Sequence, residues 1–175
     1  LHSIDGSYTR FIDYAAGTTQ TLNPEMLDRY DYFVAQLLKR GIYVYFDLLD
    51  YRQFLPGDGV RDAGQLQVRW ESSIKGASIF DERMLQLQKD YATSLLTHRN
   101  PYAGRRYVDE PGLAVQEITN ENSLFYLQNQ KLMLPGYVAD LEARWNRWLL
   151  EQYKDRAGLA RAWTRAQECA LLADE

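Results

Sequence analysis

A single cysteine, Cys169, occurs in the 175 residues, and that alone excludes an intrachain disulfide framework. Histidine is nearly as scarce: His2 and His98 are too few for a histidine-rich metal site, and no helix pattern pairs them as metal ligands. No apolar run approaches the roughly 20 residues of a membrane-crossing helix, and no basic segment followed by an apolar one opens the chain. Charge of one sign is not concentrated either, with 20 Lys and Arg against 24 Asp and Glu and a formal charge of -4. A mixed surface of that kind gives no electrostatic reason to expect nucleic acid or a membrane as partner. A Gly-x-Ser-x-Gly elbow and a phosphate-cradling glycine loop are also missing, so neither serine-nucleophile nor nucleotide chemistry is indicated and no cofactor is implied.

Aromatic residues, in contrast, are plentiful at 13%, with 13 tyrosines and 4 tryptophans. Such rings suit stacking on sugars, although most are expected to pack against helices or in the core. The length suffices for one domain over residues 1–175 with a sizeable core. The opening Leu1-His2-Ser3-Ile4-Asp5 reads as the interior of a longer chain, and an export signal would precede Leu1, so localisation stays open.

Residues 1–22 have loop composition. Asn23 as N-cap, Pro24 at the first helical position and Gly41 after Lys39-Arg40 then delimit a helix. Its apolar stripe is Met26, Leu27, Tyr30, Phe33, Val34, Leu37 and Leu38, opposite a polar face of Asp28, Asp31 and Lys39. Ile42–Leu49 is nearly continuous in apolar and aromatic residues, as a strand buried on both faces would be. The connection over residues 50–79 is long, and two readings fit it: a loop lining a cleft, or a tolerated surface insertion. Asp81 caps a second helix whose face is Met84, Leu85, Leu87, Tyr91, Ala92, Leu95 and Leu96, and Asn100-Pro101 begins a turn.

Leu113–Thr119 follows Pro111-Gly112 and is too short for an ordinary helix; its β-branched Val115, Ile118 and Thr119 mark a second strand. Two successive helix-to-strand units imply a parallel sheet with crossover helices, and the second strand delivers Asn120-Glu121-Asn122 at its carboxyl end, the rim where α/β folds bind ligands. From Gly136 the chain turns helical, with Val138, Leu141, Trp145, Trp148, Leu149 and Tyr153 on one side. After Gly158 a shorter helix presents Leu159, Ala162, Trp163, Ala166 and Ala170. The tryptophans read as packing anchors.

Four segments carry a family likeness: Asn23–Asp28, Lys39–Val44, Asn100–Gly104 and Glu117–Ser123, the last reading Glu-Ile-Thr-Asn-Glu-Asn-Ser. Together with Trp145–Leu150, Tyr153, Leu159 and Ala162-Trp163, they resemble bacterial retaining glycoside hydrolases with a (β/α)8 barrel and two catalytic glutamates. That clan includes cellulases, mannanases and β-galactosidases. The resemblance implies that Glu121, at the end of the fourth barrel strand, is the general acid/base and that Asn120 holds a sugar hydroxyl. It places Leu1-His2 at the end of the second strand, with His2 a substrate contact, and Gly41–Leu49 as the third. The chain departs from the pattern at Leu49, where relatives often carry a histidine. The nucleophile of the clan lies on the seventh strand, beyond the fourth-strand region reached here.

The expected architecture is therefore α/β, a partial (β/α)8 barrel comprising the end of strand 2, strands 3 and 4 with their helices, and the helices after strand 4. A whole barrel takes about 250 residues. The expected partners are a carbohydrate substrate and the remainder of the barrel, and the isolated chain is expected to be inactive and poorly soluble, with unpaired sheet edges. Retaining hydrolysis needs a carboxylic acid and a carboxylate about 5–5.5 Å apart. Glu117 lies four residues before Glu121 on the same strand, roughly 13 Å away, which is too far for either kind of catalytic pair. It reads as a barrel-interior residue, while Glu142, Glu151 and Glu168 fall on helices and Glu175 is a terminus. Asp47 and Asp50 read as capping or loop-stabilising residues, with sugar binding as their other role. The alternatives to the enzyme are a non-catalytic carbohydrate-binding barrel and a helical interaction domain built on the tryptophan helices.

Overall fold

The computed structural model describes residues 1–66, 73–126 and 131–172 and, for residues 73 and 165–172, the backbone alone. Glu175 and the side chains of Glu168 and Cys169 lie outside that description. The chain forms two compact units, Leu1–Leu134 and Pro135–Glu175.

In the first unit, helix α1 (Pro24–Leu38) starts where Asn23 Oδ1 accepts the N–H groups of Glu25 and Met26 at 3.0 and 3.2 Å. It ends ahead of Gly41, whose φ of +72° is the left-handed conformation that glycine adopts most readily. Strand β1 (Val44–Asp47) follows. After a short helix α2 (Ser73–Ala77) comes α3 (Glu82–Thr97), capped by Asp81 Oδ1 on Met84 N–H at 2.8 Å and burying Met84, Leu87, Tyr91 and Leu95. A hairpin of β2 (Arg99–Asn100) and β3 (Arg105–Arg106) then leads to β4 (Leu113–Glu117). The Asn100-Pro101 stretch thus belongs to a hairpin as well as a turn, because Asn100 Oδ1 caps Tyr102 and Ala103 N–H while Asn100 pairs with Arg105.

Strands β1 and β4 are parallel, with Val44 opposite Leu113 and Asp47 opposite Glu117. On the other edge of β1, Leu1 donates its amino group to Tyr45 O at 2.6 Å and accepts Asp47 N–H at 3.3 Å. These are the two bonds of a parallel pairing centred on Phe46, so three chain segments run side by side in one direction. β1 is shorter than the apolar run it lies in. Ile42 and Tyr43 stay exposed, because Pro111 and Gly112 precede the partner strand and pairing starts only at Val44.

The core joins Val34, Val44, Phe46, Tyr91, Leu95, Tyr107 and Leu113, with the Phe46 and Tyr107 rings edge to face at 5.0 Å. One residue assigned to the polar face of α1 is buried instead. Asp31 accepts Tyr107 O–H and faces His98 Nε2, both at 2.6 Å, which compensates its burial.

In the second unit, α4 (Pro135–Tyr153) and α5 (Arg156–Leu172) are joined at Asp155, whose side chain accepts Gly158 N–H at 2.6 Å, so α5 begins before Gly158 rather than after it. Trp145 and Trp148 stack on each other at 5.1 Å and remain about half exposed, so their packing is ring on ring rather than into a core. Among the described residues, no helix is long and apolar enough to cross a membrane.

Candidate functional site

The parallel register brings the carboxyl ends of three segments together. His2 follows the residue paired beside β1, Asp47 ends β1 with Asp50 three residues on, and Asn120 and Glu121 come shortly after β4. Asn120 is fixed by its N–H on Leu49 O at 2.8 Å and by Nδ2 donating to Asp50 Oδ1 at 3.0 Å. His2 spans the two aspartates, with Nδ1 at 2.8 Å from Asp47 Oδ2 and Nε2 at 3.2 Å from Asp50 Oδ2. With both ring nitrogens facing carboxylate oxygens, the imidazolium is the form that donates to both. Glu121 projects outward at 79% exposure, while the Asp47 and Asp50 side chains are sealed at 0%.

Lys75, on α2, completes the cluster. Its buried ammonium reaches Asp50 Oδ1 and Asn120 O, both at 3.0 Å, and lies 3.6 Å from Glu121 Oε2 and 5.3 Å from the centre of the Tyr51 ring. Ser3 Oγ closes on Asp50 Oδ2, and Ser3 N–H reaches Asp47 Oδ2 at 3.4 Å. Within residues 50–79, α2 is the part that brings a cation, Lys75, to this cluster, while residues 67–72 lie outside the described residues.

Burial dominates the electrostatics. It pushes the Asp47 carboxyl up, against the Ser3 N–H bond and His2 that favour the ion, with Asp50 adding to the rise. Burial acts on Asp50 in the same sense, but the bonds from Ser3, Asn120 and Lys75 outweigh it and hold this carboxyl below its ordinary range. Asp47 Oδ1 is buried with no hydrogen-bond partner among the described residues. The backbone is strained at the same place, since Ser3 and Glu121 have φ of +56° and +55°, a region that costs a non-glycine residue about 1 kcal/mol.

His2, Asp47 and Asp50 offer three ligand-type atoms within 4.8 Å of one another. The two carboxylates, however, address opposite nitrogens of one ring, and Asp50 already receives an ammonium and an amide. A cation takes one imidazole nitrogen as ligand, so the geometry is that of an ion-paired network rather than a metal cage.

Three sequence-assigned residues, His2, Asn120 and Glu121, thus sit in one cluster. Asp47 and Asp50 join it as its buried floor, beyond a capping role. Glu117 pairs with Asp47 in the register and its carbonyl accepts Leu48 N–H at 2.9 Å. Leu49, at the position where the resemblance implies a histidine, is buried and holds Asn120 through its carbonyl. Lys75 and Ser3 are invisible in the sequence, because a lone lysine in an irregular connection and a serine in a loop carry no period or motif. Comparison of the chain with protein-family models, with curated proteins and with solved structures found no match.

Proposed function

We propose that the cluster is half of the active site of a retaining glycoside hydrolase built on a (β/α)8 barrel, in which Glu121 is the general acid/base and Asn120 and His2 contact the sugar. The observation that carries this reading is the meeting of His2, Asp50, Asn120 and Glu121 just past the carboxyl ends of parallel segments, with Glu121 presented to solvent on a strained backbone. Functional groups of barrel enzymes gather at that end of the strands. The outer edge of β4 fits an unfinished sheet as well, since among the described residues no strand pairs with it on the side away from β1.

The mechanism asks Glu121 to protonate the departing glycosidic oxygen and then to deprotonate water, while a second carboxylate attacks the anomeric carbon from about 5–5.5 Å away. Asp47 and Asp50 are engaged below the surface by His2, Ser3 and Lys75 and are poor nucleophiles for that reason. The proposal therefore places the nucleophile on sequence outside these 175 residues.

Expressing the chain with its flanking coding sequence tests this. Alkyl and unactivated phenyl β-glycosides should be hydrolysed with retention of anomeric configuration, and Glu121→Gln should lower kcat/KM on them by about 10²- to 10⁴-fold. Hydrolysis by the 175-residue chain alone, abolished by the same substitution, would remove the need for an outside nucleophile. The Lys75 ammonium beside Glu121 favours a second reading, non-catalytic carbohydrate binding, in which Glu121 accepts sugar hydroxyls and no hydrolysis follows. Calorimetric binding of β-linked oligosaccharides without turnover by the longer protein would select it.

A further inference from the structure

Asp5 lies beneath the site and is wholly buried. Its carboxylate accepts three consecutive backbone N–H groups: Oδ2 takes those of Asp50 and Arg52 at 2.8 and 3.0 Å, and Oδ1 takes that of Tyr51 at 3.0 Å. The turn held this way presents the Asp50 side chain to His2, Lys75 and Asn120 and the Tyr51 ring to Lys75. Arg52, next in the turn, is pinned in the interior by Thr19 and by Leu87 O. The turn is therefore tied from below at both Asp5 and Arg52.

We propose that Asp5 is a positioning residue whose ionised carboxylate holds the residue 50–52 turn, and with it the Asp50–Lys75–Asn120 cluster, in working geometry, and that its protonation releases that geometry. The proposal builds on the reading of the cluster as the functional site. Placing a proton on either oxygen removes the negative charge that strengthens all three N–H bonds and adds an O–H for which the turn N–H groups offer no acceptor, so the hold on the turn loosens. The bonds weaken without all being lost, so the change is local rather than an unfolding.

The groups that face Asp5 agree on the direction. Burial, and then the negative charges of Asp47 and Asp50, favour the proton, while the turn N–H groups oppose it, with the outcome that the carboxyl rises to about 6. Arg52 supplies the positive charge nearby, and Tyr14 and Tyr91 are the other titratable neighbours. Tyr14 also donates to Asp5 O at 2.8 Å.

The experiment is a pH titration of the folded 175-residue chain by ¹H–¹⁵N NMR, read at the backbone amides of residues 50–52 and at the Asn120 side-chain amide. The expected result is one common transition with a midpoint near 6, retained in His2→Gln and absent from Asp5→Asn. Retention in His2→Gln separates Asp5 from the imidazole above it and holds even where Asp5→Asn does not fold. Amides of residues 50–52 that stay flat from pH 5 to 7, or a transition lost in His2→Gln, would overturn the proposal. Because no sugar is involved, the absence of hydrolysis refutes the glycosidase reading and leaves this result standing.

Discussion

Asp31 and Asp50 are both buried carboxylates approached by an imidazole, yet their surroundings differ. Around Asp31 the circuit is closed: Tyr107 O–H meets one oxygen, His98 Nε2 the other, and Asn100 Nδ2 donates to both Asp31 O and Tyr107. It ties α1 to the hairpin of β2 and β3. Around Asp50 the circuit is open, because its buried floor includes an oxygen of Asp47 without a partner, and its rim consists of His2 at 57% exposure and Glu121 at 79%. A satisfied buried network fixes one arrangement of the chain, whereas an unsatisfied one with exposed tips has capacity left for a ligand. Backbone strain follows the same division, with Ser3 and Glu121 on the open side.

Substitutions separate the two clusters. The largest effect is expected at the closed one. Asp31→Ala strands Tyr107 O–H and the His98 ring and should lower unfolding free energy by about 3 kcal/mol in denaturant titrations. A loss under about 1 kcal/mol would show the cluster to be less critical than its geometry implies.

Asp5 gives the next largest effect, and its sign is fixed by linkage. Its folded-state carboxyl is raised, so its stabilising contribution is full below about pH 4 and is lost as pH climbs through about 6. The span from 3.8 to about 6 is roughly two units, or about 3 kcal/mol as an upper figure. The stability of Asp5→Asn relative to the parent chain should thus increase between pH 4 and 7, and a flat difference would contradict it. At neutral pH the fold carries a buried ion that site geometry requires and stability does not.

Smaller effects are expected at the open rim. Glu121→Gly should stabilise the chain by about 1 kcal/mol by relieving the positive φ, whereas a loss would show that the Lys75 contact outweighs the strain. His2→Ala should change stability by less than about 1 kcal/mol, since the ring is more than half exposed, while reducing affinity for a β-linked oligosaccharide in calorimetry.

The two clusters were also unequally legible in the sequence. Asn120-Glu121 could be read because a β-branched run between Pro111-Gly112 and a polar cluster marks a strand end, and helices α1 and α3 because Asn23-Pro24 and Asp81 are local caps. The Asp31 network could not be read: by period Asp31 belongs to the polar side of α1, and its partners lie 67 and 76 residues away. The floor of the site was hidden for the same reason. Asp5 meets the turn across 45 to 47 residues, and Lys75 meets Asn120 across 45, contacts made by tertiary packing and announced by no local pattern.

The most direct test is the leaving-group dependence of Glu121→Gln in the protein that carries this chain with its flanking sequence. A general acid matters where the departing oxygen needs a proton. The variant should therefore lose about 10²- to 10⁴-fold in kcat/KM on an alkyl β-glycoside and under about 10-fold in the glycosylation step with a 2,4-dinitrophenyl β-glycoside. Equal losses on the two substrates, or none on either, would contradict the assignment of Glu121 as the acid/base.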